Sequence, residues 1–107
     1  FILTIDKGGM MKFVSLTVWK HSESIDWAEM QEMLAENMKK PDIPKGCTVQ
    51  WFDIDAYNHG SVLTYPSLEV YENHKTKLEA YRKESSDDLG ITLVHKHDGL
   101  IRAECVS

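Results

Sequence analysis

The order of strand-like and helix-like segments constrains the fold of this chain more than any other feature of its sequence. Residues 12–20, 47–56 and 61–65 have strand character, and a fourth such segment follows residue 90. Two segments with helical spacing of apolar residues lie between them, one ending before Pro41 and one at about 68–84. This β-α-β-β-α-β order predicts an α+β fold, a ferredoxin-like sandwich.

The strand segments also predict how the sheet is arranged and covered. Right-handed crossovers give an antiparallel sheet of order 4-1-3-2 with both helices on one face. The first strand is apolar on both sides, with Val14, Leu16 and Val18 on one face and Phe13 and Trp19 on the other. A sheet of this kind needs a second cover on the face that the helices leave open. The simplest cover is a second copy of the chain, so we expect a homodimer with its sheets packed face to face.

Short sequence motifs predict the ends of the elements. Ser24 is suited to cap the first helix, with Asp26 in its first turn, and Ser67 is suited to cap the second. Asp98-Gly99 lies between two strand-like segments, and this dipeptide is typical of a two-residue hairpin. We therefore expect an extra C-terminal hairpin strand beyond the minimal fold.

The N-terminal residues differ from the rest. Met10-Met11 resembles a natural start, and Gly8-Gly9 before it resembles a flexible joint. We expect residues 1–10 to be an N-terminal extension or a remnant of cloning, and residues 11–107 to be a single ferredoxin-like domain. The segment Phe1–Ile5 has strand character and could add an edge strand.

Composition excludes several classes of function. The chain carries 12 basic and 17 acidic side chains, and this net charge of −5 argues against a nucleic-acid partner. No run of about 20 apolar residues could span a membrane, so we expect no membrane partner. Two cysteines, Cys47 and Cys105, do not make a disulfide framework, and we interpret them as reduced thiols of a cytoplasmic protein. Motifs for phosphate loops, hydrolase nucleophiles and zinc clusters are absent from the sequence.

One face of the first strand has the composition of a cavity wall. Phe13, Ser15, Thr17 and Trp19 alternate along it, which makes the face too aromatic for water and too polar for a dry core. If this face points to the helices, these side chains line a pocket together with aromatic residues of the helices and of the third strand. The alternative is an ordinary aromatic core. The predicted wall comprises Phe13, Thr17, Trp19, Trp27, Tyr65, Tyr71, His74 and Tyr81.

The chain resembles the dimeric α+β barrel superfamily. The resemblance rests on the layout, on the segment Gly60-Ser61-Val62-Leu63-Thr64-Tyr65-Pro66-Ser67-Leu68-Glu69, and on Tyr71-Glu72-Asn73-His74 and Tyr81-Arg82 in the following helix. It covers residues 11–97 as a pattern and is closest to the antibiotic-biosynthesis monooxygenase and NIPSNAP-like branches. The resemblance implies a dimeric barrel with a ligand cavity between each sheet and its own helices. Its members include cofactor-free monooxygenases, haem-degrading enzymes and small isomerases, so it indicates fold better than activity.

His74 is the predicted catalytic residue. It lies within the apolar stripe of the second helix, between Val70 and Leu78, where an imidazole must find a partner or line a cavity. It could act as an acid or base, or it could be a core histidine bonded to a strand group or to water. The haem-degrading relatives pair a helical histidine with an asparagine on the first strand, where this chain has Ser15 and Thr17. We therefore expect no haem and no other cofactor.

His95 and His97 have the H-x-H spacing of two metal ligands, but no third ligand is evident. An exposed hairpin tip is the alternative, and we expect no metal.

Three functions remain open. The preferred one is a dimeric domain that binds a small apolar or aromatic molecule, of which a fatty-acid-like ligand is one form. The second is a cofactor-independent monooxygenase or isomerase on the same cavity, acting on an aromatic or polyketide-like substrate. The third is a structural or interaction dimer without a ligand.

Overall fold

The computed structural model describes residues 2–4, 11–40 and 43–107. Within these ranges the elements follow the order β1 (Ile2–Thr4), β2 (Phe13–His21), α1 (Trp27–Met38), β3 (Thr48–Asp55), β4 (Asn58–Tyr65), α2 (Leu68–Leu89), β5 (Ile91–Leu100) and β6 (Glu104–Val106). Strands β2 to β5 form an antiparallel sheet in the order β3-β4-β2-β5. Counted from β2 as the first strand, this is 2-3-1-4, the predicted order seen from the other edge. The α+β architecture is compatible with a ferredoxin-like fold.

Alternation along β2 and β4 separates the two faces of the sheet. Every second side chain is buried on the face that the helices cover: Phe13, Ser15, Thr17 and Trp19 on β2, and His59, Ser61, Leu63 and Tyr65 on β4. These two rows lie side by side, because Phe13 pairs with Tyr65 and Thr17 pairs with Ser61. The face of β2 that carries aromatic rings and hydroxyl groups therefore points to the helices. The predicted cavity requires this orientation.

The opposite face of the sheet is not covered by either of the two helices that the structure describes. Val14, Leu16 and Val18 lie half-buried on it, and the ladder places Val62 beside Leu16 and Phe52 beside Gly60. We call this surface the open face; it comprises Val14, Leu16, Val18, Phe52, Gly60 and Val62. Phe52 is 42% exposed there and its ring lies over Gly60, where an added Cβ would be 2.0 Å from the Phe52 Cζ atom. The glycine leaves the space that the ring occupies.

The two helices begin and end at capping residues. The carboxylate of Asp26 accepts hydrogen bonds from the backbone amides of Ala28 and Glu29, so Asp26 caps α1 and the prediction of Ser24 as the cap was wrong. Ser67 caps α2 as predicted, because its hydroxyl accepts a hydrogen bond from the backbone amide of Val70. Helix α2 extends past the predicted end at about residue 84 and stops at Gly90, whose φ of 63° is left-handed.

The predicted hairpin at Asp98-Gly99 was wrong. Strand β5 passes straight through both residues, and Gly99 pairs with Val14 on β2. A two-residue hairpin of the Asp-Gly type needs positive φ at its central residues, and among the described residues only Gly46 and Gly90 have positive φ. The carboxylate of Asp98 is instead bound across the sheet by the Ser15 hydroxyl, at 2.6 Å. This long-range contact outweighs the local turn preference.

The predicted extra C-terminal strand is present as β6, but it does not belong to the four-stranded sheet. Strand β6 pairs with β1 in a separate two-stranded antiparallel sheet, in which Leu3 lies opposite Cys105. The predicted N-terminal extension lies mostly outside the described residues.

Cys47 is half-buried, Cys105 is exposed, and both are free thiols. Among the helices that the structure describes, none is both long enough and apolar enough to cross a membrane.

Candidate functional site

A cavity of about 380 Å³ lies between the covered face of the sheet and the two helices. Strands β2, β3 and β4 form its floor, α1 forms one wall, and α2 forms the other. Most of its lining atoms belong to apolar and aromatic side chains. The lining from the sheet includes Thr17, Trp19, Val49, Trp51, His59, Ser61, Leu63 and Tyr65, and the lining from the helices includes Met30, Met33, Leu34, His74, Leu78, Tyr81 and Arg82.

Helix α1 stands away from the sheet because the cavity lies beneath it. Within the described part of the chain, no α-carbon of α1 comes within 8 Å of an α-carbon in another helix or strand. Met30 is the one buried residue of this helix, and Met33, Leu34 and Met38 also face the cavity. Flexible, unbranched methionine side chains adapt to irregular partners. The apolar stripe of α1 therefore forms the wall of a cavity and does not pack closely against the sheet.

Tyr65 and His74 form the buried polar pair of the cavity. The Tyr65 hydroxyl and Nδ1 of His74 are 2.6 Å apart and share a hydrogen bond, and the two side chains are 0% and 8% exposed. Burial is the main cause that raises the pKa of Tyr65 well above its usual value, with a smaller contribution from Cys47. The phenol is therefore neutral and able to donate a proton to Nδ1. An imidazole that is hydrogen-bonded in this way is fixed in tautomer and orientation.

A chain of polar side chains crosses the centre of the covered face. Nη2 of Arg82 donates to the Ser15 hydroxyl at 2.9 Å, and the Ser15 hydroxyl donates to Asp98 at 2.6 Å. Lys96 donates to the other oxygen of Asp98 at 2.7 Å, and the Tyr71 hydroxyl approaches the same oxygen at 3.4 Å. Burial raises the pKa of Asp98, but the hydrogen bonds from Lys96 and Ser15 and the nearby cations outweigh it, so the net pKa is lowered.

A pair of histidines lies on the neighbouring strands β2 and β4. Nε2 of His21 and Nδ1 of His59 are 2.7 Å apart, and the rings of Trp51 and Trp27 are 5.6 Å and 6.3 Å from the His59 ring. Burial first, and the charge of His21 second, lower the pKa of His59 to about 4. His59 lines the cavity, and Tyr65 lies six residues further along the same strand, so the two polar groups are about 20 Å apart.

Tyr81 connects the two helices over the cavity. Its hydroxyl accepts a hydrogen bond from the Asn37 side-chain amide on α1. The ammonium group of Lys40, just after α1, lies 5.6 Å from the centre of the Tyr81 ring, within the range of a cation–π contact. Asn37, Lys40 and Tyr81 all belong to the cavity lining. They supply a contact between α1 and α2 where the backbones of the two helices are far apart.

Five of the eight predicted wall residues line the cavity: Thr17, Trp19, Tyr65, His74 and Tyr81. The remaining three lie close by but outside the lining. Phe13 and Tyr71 stack on each other with ring centres 4.1 Å apart in the hydrophobic core. Trp27 lies half-buried at the first residue of α1, beside His59. Trp19 donates a hydrogen bond from its indole nitrogen to the Thr17 hydroxyl at 2.9 Å, so these two wall residues hold each other in place.

Three polar residues of this region were not among the predicted site residues: Arg82, Asp98 and His59. Asp98 was placed in a hairpin turn that does not form, and His59 lies within strand β4. Alternation with Ser61, Leu63 and Tyr65 could have indicated that His59 shares their face. Arg82 follows Tyr81 directly and lies beside the apolar stripe of α2, but a sequence does not show how far its side chain reaches.

His95 and His97 lie within strand β5, on the same side of the sheet as the open face, and not at a hairpin tip. They pair with Val18 and Leu16 of β2, and both are exposed. In the described ranges no group of three or more His, Cys, Asp or Glu side chains is arranged to hold a metal ion.

Comparisons with known proteins add no identification. No family model matches the chain, and neither the curated proteins nor the solved structures contain a significant match. The resemblance to dimeric α+β barrels is therefore still a prediction, supported by an architecture that is compatible with it.

Proposed function

We propose that this chain is a dimeric binding domain of the α+β barrel type, which holds a small, mostly apolar or aromatic molecule between its sheet and its helices. The cavity is the observation that carries this proposal. Its volume of about 380 Å³ lies within the range of roughly 300–1,000 Å³ that is typical of small-molecule sites. Apolar walls with a few convergent polar groups are also typical of such sites.

The form of the cavity favours an elongated ligand. His59 and Tyr65, which both line it, are separated by about 20 Å along β4. Met30 and Met33 on α1 can adapt their side chains to a flexible chain. A fatty-acid-like molecule fits these features. The alternative of a structural dimer with a filled core predicts close packing of α1 on the sheet and no cavity of this size.

The test is to identify the ligand and then to block its site. The purified native protein is extracted with organic solvent, and any co-purified small molecule is identified by mass spectrometry. Binding is then measured by tryptophan fluorescence, because Trp19 and Trp51 line the cavity. The probes are a panel of fatty acids and aromatic metabolites. No change in emission across the panel, and no co-purified molecule, would contradict the proposal.

A pair of alanine variants provides a matched control for this experiment. Both alanines are exposed, but Ala80 on α2 belongs to the cavity lining and Ala35 on α1 does not. The larger side chain of Ala80→Phe narrows the cavity, so we expect binding to weaken. The same substitution at Ala35 adds the same ring to the surface and is expected to leave binding unchanged.

A second candidate function is supported by the Tyr65–His74 pair. A buried imidazole that is oriented by a neutral phenol has the arrangement of a general acid or base. On this proposal the domain is a cofactor-independent monooxygenase or isomerase, and His74 moves the proton. His74→Ala distinguishes the two functions. An enzyme loses turnover of the bound molecule, followed by mass spectrometry, while it keeps its ligand; a binding domain loses only affinity or nothing.

The open face supports the homodimer. Leu16, Val18 and Phe52 lie on it, and within the described residues no other element covers them. Apolar side chains on a sheet face are expected to be buried against another layer. A second copy of the chain supplies an identical apolar face, and a two-fold axis would bring the two together.

A further inference from the structure

Arg82 places a cation in the wall of a largely apolar cavity. Its guanidinium extends from α2 to the centre of the sheet, where Nη2 bonds the neutral hydroxyl of Ser15. Across the described ranges no carboxylate lies within 4 Å of this guanidinium. Asp98, whose negative charge acts on Arg82 from a greater distance, is already bound by Lys96 and Ser15. Among the residues that the structure describes, Arg82 therefore has no contacting anion.

A partly buried cation without a contacting anion is costly, because it has lost part of its hydration without a full replacement. Burial accordingly lowers the pKa of Arg82. The guanidinium has five N–H donors in a planar fork, which suits a carboxylate that accepts two parallel hydrogen bonds. Arg82 lines the cavity, so a bound molecule can reach the donors that Ser15 does not use.

The charge of the cavity has the opposite sign to that of the chain. Among the described residues, its charged lining consists of three cations, Lys40, Lys77 and Arg82, and one carboxylate, Glu84. The whole chain carries a net charge of −5. A cationic site in an acidic protein attracts anions and selects against cations. The remaining walls are apolar, so the ligand needs an apolar body as well as an anionic group.

We propose that the cavity binds an amphipathic organic acid whose carboxylate contacts the guanidinium of Arg82 while its apolar part lies against α1. This inference rests on the proposed binding function and specifies its ligand class. One guanidinium matches one carboxylate in both charge and geometry. The buried phenol of Tyr65 lies near enough to interact electrostatically with Arg82, so the guanidinium belongs to the Tyr65 end of the cavity.

The test compares two ligands that differ only in the head group, decanoate and 1-decanol, at neutral pH. Binding is measured by tryptophan fluorescence. We expect the acid to bind about tenfold more tightly than the alcohol or better, because hydrogen bonds to a charged group contribute more than neutral ones. Arg82→Gln should reduce the affinity for the acid to about that for the alcohol and leave the affinity for the alcohol unchanged. Lys83→Gln, on the exposed neighbouring residue, removes the same charge outside the cavity and should change neither.

The outcomes separate this inference from the proposed function. Equal affinity of the wild-type protein for the two ligands would overturn the carboxylate site but leave the binding function intact. Binding of neither ligand, with no response to the wider panel, would overturn both. If Arg82→Gln is not folded by circular dichroism, Arg82→Lys keeps the charge and removes the fork. The affinity for the acid should then fall partway, and an unchanged value would contradict the inference.

Discussion

The hydroxyl of Tyr65 lies 2.6 Å from Nδ1 of His74, and this bond joins the last residue of β4 to the second turn of α2. The two residues are nine positions apart, on either side of the Ser67 cap. The backbone turn at Pro66 and the start of α2 thus bring a strand side chain and a helix side chain together. Because both groups are buried, the bond is part of the core as well as part of the cavity wall.

Tyr65→Phe should destabilise the fold by about 1–3 kcal/mol. The substitution removes the hydroxyl but keeps the ring, so it isolates the loss of a buried hydrogen bond. Urea unfolding followed by circular dichroism measures the change. Tyr57→Phe is the control, since Tyr57 is 48% exposed and should change the free energy of unfolding by less than about 0.5 kcal/mol. Equal effects of the two variants would contradict the structural role of the Tyr65–His74 bond.

The His21–His59 pair predicts a loss of stability in acid. The pKa of His59 is about 4 in the folded protein and about 6.5 in an unfolded chain, so the folded state binds fewer protons between these values. Its contribution to stability is full above about pH 6.5 and is lost as the pH falls towards about 4. At about 1.4 kcal/mol for each pKa unit, a difference of about 2.5 units corresponds to a loss of about 3–4 kcal/mol.

Urea unfolding at a series of pH values tests this prediction. His59→Asn removes the titrating group and should flatten the pH dependence between about pH 6.5 and 4. His97→Asn provides the comparison, because His97 is exposed on β5 and has no part in the pair. The prediction fails if His59→Asn retains the same pH dependence as the wild-type protein and His97→Asn.

Gly60→Ala should be tolerated only when Phe52 is removed. The new methyl group would lie 2.0 Å from the Phe52 Cζ atom, so the ring must turn away from the open face. We expect a cost of about 1–2 kcal/mol in the wild-type background. In a Phe52→Ala background the cost should fall by about 0.5–1.5 kcal/mol, and a double-mutant cycle of unfolding free energies gives this coupling. Additive effects would show that the ring does not occupy this position.

Leu16→Lys should convert a dimer into a monomer. Leu16 lies on the central strand of the open face, between Val62 on β4 and His97 on β5, so a lysine there would place a charge inside the proposed interface. Sedimentation velocity at micromolar concentration measures the oligomeric state. Glu72→Lys, on an exposed position of α2, adds the same side chain away from the open face and should leave the dimer intact. A monomeric wild-type protein would contradict the face-to-face dimer.

The sequence alone determined the order of the two helices and the four strands of the main sheet, the order of those strands in the sheet, and the two faces of β2. These features depend on local patterns, such as the two-residue alternation from Phe13 to Trp19 and the Ser67 cap. Each pattern acts within a few residues, so a sequence displays it directly. Right-handed crossovers then limit the strand order to few possibilities.

Tertiary structure decided the features that depend on distant residues. Asp98-Gly99 has the local preference of a turn, but Ser15 and Lys96 bind the Asp98 carboxylate and Gly99 pairs with Val14, so the strand continues. Arg82 became a cavity residue because its long side chain reaches Ser15, 67 positions earlier in the chain. Contacts of this kind depend on how α2 lies across the sheet. No local sequence pattern predicts the distance between the Arg82 side chain and the strand that carries Ser15.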